Sequence, residues 1–309
     1  MKNIFSAIFL FAIFLATAQH VEEQEVAIDK LKGTLSIPFY KTKTAILLIA
    51  GSGPTDRDGN NTLGFTNNSL KMVADGLAEA GFAVLRFDKR GIAASQAAVS
   101  DPRALRFDDF VGDAKAWVNY LSDQGYRKII IAGHSQGSLV GILAAQDNPK
   151  VDGLISLAGA SEDAGSAIIR QLSQQSEELS KEAEVKIDSI RNGFTVKKYS
   201  AVLGSLFNPQ VQPFLQSYMA YDPSAEIKKL KIPAQIINGT TDLQVRVEDA
   251  QTLKESYPKA DILIISEMNH VLKHAAAGDL VANGATYSDP TIPLKEGLLE
   301  GMIDFIKNL

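Results

Sequence analysis

The sequence predicts an α/β fold with a mostly parallel central sheet flanked by helices. Three observations point there. Short apolar, β-rich runs recur along the chain, helical patterns separate them, and Gly133-His134-Ser135-Gln136-Gly137 interrupts one apolar stretch where a strand should turn into a helix. Continuous apolar runs suit strands covered on both faces, whereas a sheet with one wet face would alternate.

Val26 to Ile28 and Thr34 to Phe39 open the series as strands. Ala45 to Ala50 (AILLIA), Phe82 to Phe87 (FAVLRF), Ile129 to Ala132, Gly153 to Ala158, Ala234 to Asn238 and Asp261 to Ile265 follow as buried strands. Between them lie helical stretches. Phe107, Val111, Ala114, Trp117, Val118 and Leu121 fall three or four apart, with Asp108 and Asp109 near the start, where the helix dipole favours anions. Ser69 to Ala80, Val245 to Leu253 and Pro293 to Ile306 have similar patterns. Strand–helix alternation of this kind builds a parallel sheet with helices on its faces.

One segment breaks the rhythm. The stretch between Ala158 and Ala234 is rich in Gln, Ser, Glu and Lys, and it is too long for a simple crossover. Ile168, Ile169, Leu172, Leu179, Val185 and Ile190 give it a loose amphipathic pattern. It reads as a helical insertion, a cap, after the sixth strand. The expected division is a core of residues 19–160 and 231–309 with an insertion at 161–230.

Residues 1–18 read as a secretory signal. Lys2 is followed by an apolar run from Ile4 to Leu15, then Ala16-Thr17-Ala18 supplies small residues at the cleavage positions. That run is shorter than the roughly 20 residues a bilayer span requires. The expectation is an exported protein, periplasmic or secreted, with no membrane anchor after cleavage.

Composition narrows the chemistry. The net charge is −5 and no Lys/Arg cluster could track a phosphate backbone, so nucleic acid is not an expected partner. The absence of cysteine excludes disulfides, thiolate metal sites and a thiol nucleophile. Gly51-Ser52-Gly53 lacks the later glycine of a dinucleotide loop, position 56 being Asp, and neither a P-loop nor H-E-x-x-H occurs. No cofactor and no metal are expected.

Gly133-His134-Ser135-Gln136-Gly137 fits G-x-S-x-G between a strand and a helix, the context of a nucleophile elbow rather than an ordinary glycine-rich turn. Side chains at 133 or 137 would strike the neighbouring strand or helix, and the turn lifts the Ser135 hydroxyl above the sheet. A serine nucleophile needs a base. Of the four histidines, His20 lies beside the cleavage site and His134 sits inside the elbow, which leaves His270 and His274. His270, in the loop after the last strand, is the preferred base over His274, which would lie one helical turn further on. The orienting carboxylate is Asp242, at the end of a polar turn after the Ala234 strand; Glu248 and Asp163 are weaker candidates. The order Ser135, Asp242, His270 is that of a triad on an α/β sheet. The backbone N–H groups of Ser52 and Gln136 are the expected donors to an oxyanion.

These motifs resemble the α/β-hydrolase superfamily over nearly all of residues 19–309. G-S-G-P-T-D-R-D-G-N from Gly51, F-D-K-R-G from Phe87 with Ser95 after it, G-H-S-Q-G and M-N-H are similar to bacterial esterases of the serine aminopeptidase-like (S33-type) group. The resemblance implies serine-dependent acyl hydrolysis, with Ser135, Asp242 and His270 at the family's triad positions. Two residues depart from it: Ala50 stands where many relatives carry the His of an H-G motif, and Ala93 where a glycine is usual. Arg57 and Asp58 are assigned to holding the oxyanion loop.

The expected activity is hydrolysis of small-molecule acyl esters, best for acetyl to butyryl groups, with rates falling for long chains. An aminopeptidase would also need a carboxylate for the substrate's free amine; Glu162, Asp163, Glu177 and Glu178 in the insertion are the candidates. The third alternative is a binding protein on the same fold, which has no use for nucleophile, base and acid together.

Overall fold

The computed structural model describes residues 21–309. The expected signal segment, residues 1–18, lies outside the described residues. Eight strands form one sheet: β1 (Glu22–Ile28), β2 (Leu31–Ile37), β3 (Thr44–Ile49), β4 (Ala83–Phe87), β5 (Lys128–His134), β6 (Gly153–Leu157), β7 (Ala234–Gly239) and β8 (Asp261–Ile265), in the order β1-β2-β4-β3-β5-β6-β7-β8. The β1–β2 and β2–β4 pairings are antiparallel and the others parallel.

The central strands bury both faces, and alternate residues feed two cores. Leu47, Ile49, Ile129 and Ile131 face helices α2 (Phe107–Asp123) and α3 (Gln136–Ala145); Ile46, Leu48, Ile130 and Ala132 face α1 (Ser69–Glu79) and α11 (Leu298–Asn308). That two-sided burial is why these strands are continuous apolar runs. The insertion between β6 and β7 holds α4 (Ala164–Ser173), α5 (Glu177–Arg191), α6 (Gly204–Phe207), α7 (Gln212–Tyr218) and α8 (Pro223–Ile227). It has a small core of its own around Leu172, Ile187, Ile190, Phe207 and Leu215. It docks on α2 through aromatic rings: Phe107 stacks on Tyr218 at 4.4 Å and Phe110 meets Phe214 at 5.1 Å. The remaining helices are α9 (Val247–Ser256) and α10 (Leu280–Ala285).

The element bounds differ from the sequence expectation where tertiary pairing intervenes. β1 begins at Glu22, because its polar side chains are partnered across the edge: Glu25 with Arg57 and Glu23 with Arg86. β2 stops at Ile37, before Pro38, and leaves Phe39 and Tyr40 exposed. β8 is an edge strand and only half-buried. Residues 293–297 are not helix: Leu294 bridges Lys273, Lys295 N–H donates to Leu272 C=O, and 296–297 turn into α11, which Gly297, with φ 89°, caps. Val185, expected on the insertion's apolar face, is exposed.

The register aligns the carboxyl ends of the strands. Ile49 pairs with Gly133, His134 with Leu157, and Gly239 with Ile265. The loops after β3, β5, β7 and β8 therefore emerge together at one edge, where open α/β sheets place their ligands.

Candidate active site

Ser135 follows β5 with φ 53° and ψ −120°, a conformation L-residues rarely adopt. Strain of this kind is on the order of 1–3 kcal/mol and is held by the surroundings. Two glycines make it possible. A Cβ on Gly133 would lie 2.1 Å from Gly137 O, and one on Gly137 would lie 2.4 Å from Ile49 O, both atoms being backbone that cannot move aside. The Ser135 N–H donates to Leu157 C=O at 2.8 Å. Helix α3 starts at the next residue and aims its amino end at the serine.

At the next edge position, Asp242 ends the turn after β7. Its Oδ1 accepts from the Gln244 and Val245 N–H groups at 2.8 and 2.9 Å, and its Oδ2 accepts from His270 Nδ1 at 2.8 Å. Both side chains are buried. An ionised carboxylate can only accept, so Nδ1 carries the proton and Nε2 is left with a lone pair. The β7 turn lies hard against the His270 loop: a Cβ on Gly239 would sit 1.9 Å from Met268 O. The loop is braced from the far side by Asn269, whose amide donates to Asn283 and Thr286.

His134 has a use that the sequence pattern does not announce. Burial pushes its imidazole down from 6.5 to about 3, so it is neutral. Its Nε2–H donates to the His270 carbonyl at 2.8 Å, and the two rings lie 4.9 Å apart. The elbow's second residue thus holds the loop that carries His270. The signal is the histidine in G-H-S-Q-G itself, which only the β5–β8 juxtaposition makes interpretable.

The loop after β3 closes over the elbow. A Cβ on Gly51 would meet His134 Nδ1 at 3.1 Å and Ser135 Cβ at 3.2 Å. Among the described residues, nothing accepts from the N–H of Ser52 or of Gln136. An ionic lattice fixes the loop. Asp56 accepts from the N–H groups of Asp58 and Asn60, Arg57 bridges Asp88, Glu25 and Thr34, and Asp58 holds Arg86 at 2.7 Å. Ala50 is buried at the loop's root. Ala93 has φ 43°, the left-handed region that a glycine enters without strain.

Two cavities border this edge. Ser135, His270, Ser52, Asn67, Gln244 and Tyr287 are among the residues around a cleft of 240 Å³. A larger, more apolar cavity of 460 Å³ lies between the Lys89–Ile92 segment, α2 and α7, reaching Gly53 and Gln136; Leu105, Phe110, Val211 and Phe214 give it its walls. His274, by contrast, is half-exposed beside Lys295, and the chain around it is not helical. Asp163 caps α4 and pairs with Arg191, and Glu248 is exposed on α9. Glu162 pairs with Arg170 and Glu177 with Lys181, while Glu178 is exposed. Among the described residues, no cluster of three or more His, Asp or Glu could hold a metal ion.

The same architecture occurs in an esterase from Pyrococcus furiosus, Pf2001, at 15% identity and a TM-score of 0.57, covering 94% of this chain and 93% of that one. It occurs also in Est1E from Butyrivibrio proteoclasticus, solved with ferulic acid bound, at 16% identity and a TM-score of 0.55, over 92% and 96% of the two chains. The α/β hydrolase GrgF from Penicillium sp. sh18 gives 16% identity and a TM-score of 0.60 over 93% and 98%. At these identities the likeness is one of fold. No curated protein matches the chain. The family model described as serine aminopeptidase, S33, matches residues 64–274, a span that includes both the elbow and His270. The chain belongs to this S33 serine aminopeptidase family and is a hydrolase of the α/β-hydrolase fold.

Proposed function

We propose that the protein is a carboxylesterase-type serine hydrolase. Ser135 Oγ attacks the acyl carbonyl as His270 Nε2 takes its proton, and Asp242 stabilises the resulting imidazolium. The Ser52 and Gln136 N–H groups receive the oxyanion. His270 then protonates the departing alcohol, and water releases the acyl group by the same steps in reverse.

The observation that carries the ester reading is the lining of the two cavities. Among the described residues, neither the cleft of Ser135 and His270 nor the larger cavity has an Asp or Glu in its wall. An aminopeptidase must hold a substrate ammonium, and a site without a carboxylate, with Lys89 and Arg90 in the larger cavity, opposes one. An ester needs no such anchor. The leaving group must face His270 to be protonated, so the acyl group extends the other way, past Gln136 into the apolar cavity. At 460 Å³ this lies within the roughly 300–1,000 Å³ of sites that take drug-sized ligands. A cavity of this size revises the expected fall-off for long chains: the proposed preference moves from acetyl toward butyryl and longer chains, and residues 161–230 act as a cap that supplies one wall. Export, with cleavage after Ala18, is part of the proposal; N-terminal sequencing of the mature protein should begin at Gln19.

Two measurements test this reading. Ser135→Ala should lower p-nitrophenyl butyrate turnover by a factor on the order of 10⁵ to 10⁶ and abolish labelling by a fluorophosphonate probe, with the thermal midpoint little changed. Near-normal turnover in that variant would remove the triad. On the wild type, a p-nitrophenyl ester series compared with aminoacyl p-nitroanilides should favour the esters. A faster aminoacyl amide would replace this reading with the peptidase one, and no probe labelling at all would favour a binding protein.

A further inference from the structure

Lys89 follows β4 in the run Phe87-Asp88-Lys89-Arg90-Gly91 and is 3% exposed. An amine so deeply buried must be hydrogen-bonded, because losing water without a partner is strongly unfavourable. Its partner is the carbonyl oxygen of Gly51, which accepts from Nζ. The nearby carboxylates are otherwise engaged: Asp88 with Arg57 and the Ala94 N–H, Asp56 with the N–H groups of its own loop.

Gly51 C=O and Ser52 N–H belong to one peptide unit, which is planar and trans, so the two point in opposite directions. Holding the carbonyl inward on Lys89 turns the N–H outward. That N–H has no acceptor among the described residues, and Ser52 lines the cleft of Ser135 and His270. We propose that Lys89 is a positioning residue: its bond to Gly51 C=O directs the Ser52 N–H at the oxyanion formed on Ser135 and polarises that peptide. This rests on the serine hydrolase reading above. Gly51 and Gly53 do not by themselves keep this peptide in one orientation, since Gly51 has no side chain to restrict it and Gly53 already uses a left-handed φ of 69°.

The charge on Lys89 gives the assignment a signature. Burial pushes the ammonium down to about 7, against the opposing pull of Asp56 and Asp88. Of the other ionisable groups around it, Arg57 is tied to Asp88 and Arg90 to Asp113, and His134 is neutral. As pH rises through about 7 the bond to Gly51 changes from a charge-assisted one to a neutral one of roughly half the strength.

The test is the kcat and KM of p-nitrophenyl butyrate hydrolysis from pH 6 to 9 in the wild type, Lys89→Met and Lys89→Arg. Lys89→Met should lower kcat about 10- to 100-fold, up to the effect of losing one oxyanion donor, with KM within about twofold. The gap to the wild type should narrow above pH 7, where the wild type loses a charge that the methionine never had. Lys89→Arg, permanently charged, should recover part of kcat and show no such titration. An unchanged kcat, a loss seen only in KM, or a gap equal at every pH would overturn the proposal. If Lys89→Met does not fold, Lys89→Arg decides, since both proteins share the same general base: a wild-type to Lys89→Arg kcat ratio that falls as pH rises through about 7 supports the role, and a ratio constant from pH 6 to 9 overturns it. Inactivity of the wild type itself, with no fluorophosphonate labelling, would instead refute the hydrolase reading on which the proposal rests.

Discussion

The elbow after β5 and the loop after β3 both border the cleft of Ser135 and His270, yet they are held by different physics. The elbow is fixed by exclusion: at Gly133 and Gly137 there is no room for even one carbon beside the neighbouring backbone. The loop is fixed by charge, through Arg57, Asp58, Arg86, Asp88 and Lys89, with the arginines largely buried. Steric exclusion does not change with pH. An ionic lattice does, and so does the amine at its centre. Ser135 therefore sits on the insensitive half of the site, and Ser52 on the half that can respond to its surroundings.

Breaking the lattice should have the largest effect on the fold. Arg57→Met leaves Asp88, whose side chain is 3% exposed, without its cation. Removing one partner of a buried pair typically destabilises by about 3–5 kcal/mol. Urea unfolding of Arg57→Met and of Arg57→Met with Asp88→Asn checks this: the double variant should recover part of the loss, and a single variant as stable as the wild type would show that charge does not hold the loop.

Gly137→Ala tests the other half. The added methyl would press on Ile49 and Ala50 carbonyls, and overpacking of this kind costs about 1–3 kcal/mol. Esterase turnover should fall with it, because Ser135 must shift, and the loss should be the same from pH 6 to 9. A loss that varied with pH would contradict the division between the two halves.

The smallest effect concerns His134, where the two halves touch. The folded imidazole stays neutral down to about pH 3, whereas the unfolded one takes a proton below about 6.5. The unfolded chain thus binds the extra proton between those values, and the stability His134 contributes is complete above pH 6.5 and is lost as pH falls toward 3. His134→Gln keeps a donor for the His270 carbonyl but cannot titrate. Its urea midpoint should fall less steeply between pH 7 and 4 than that of the wild type; parallel slopes would mean that His134 is charged in the folded protein.

The two halves are unequally legible in the amino-acid sequence. Ser135 is readable because an elbow is a local object: two glycines, a strand before and a helix after specify it within about nine residues of chain. The order Ser135, Asp242, His270 follows from where the strands end. The polar start of β1 is not readable, since Glu22 to Gln24 carry no apolar period and Glu23 is held by Arg86 from another strand. Nor is the segment at 293–297, which the backbone of Leu272 captures from the helix.

Ala93 lies between these cases. Its departure from the resembled family's glycine is visible in the sequence, but its φ of 43° is not. Strand identity, the elbow and the residue types of the site are consequences of near-neighbour sterics and apolar periodicity, and these are written along the chain. The tasks of His134 and Lys89 are not, because each acts on a backbone carbonyl far away in sequence, His270 for one and Gly51 for the other. A carbonyl is the same in every residue, so no pattern of side chains announces which one a buried donor will meet; the folding of β3, β4, β5 and β8 to one edge settles that.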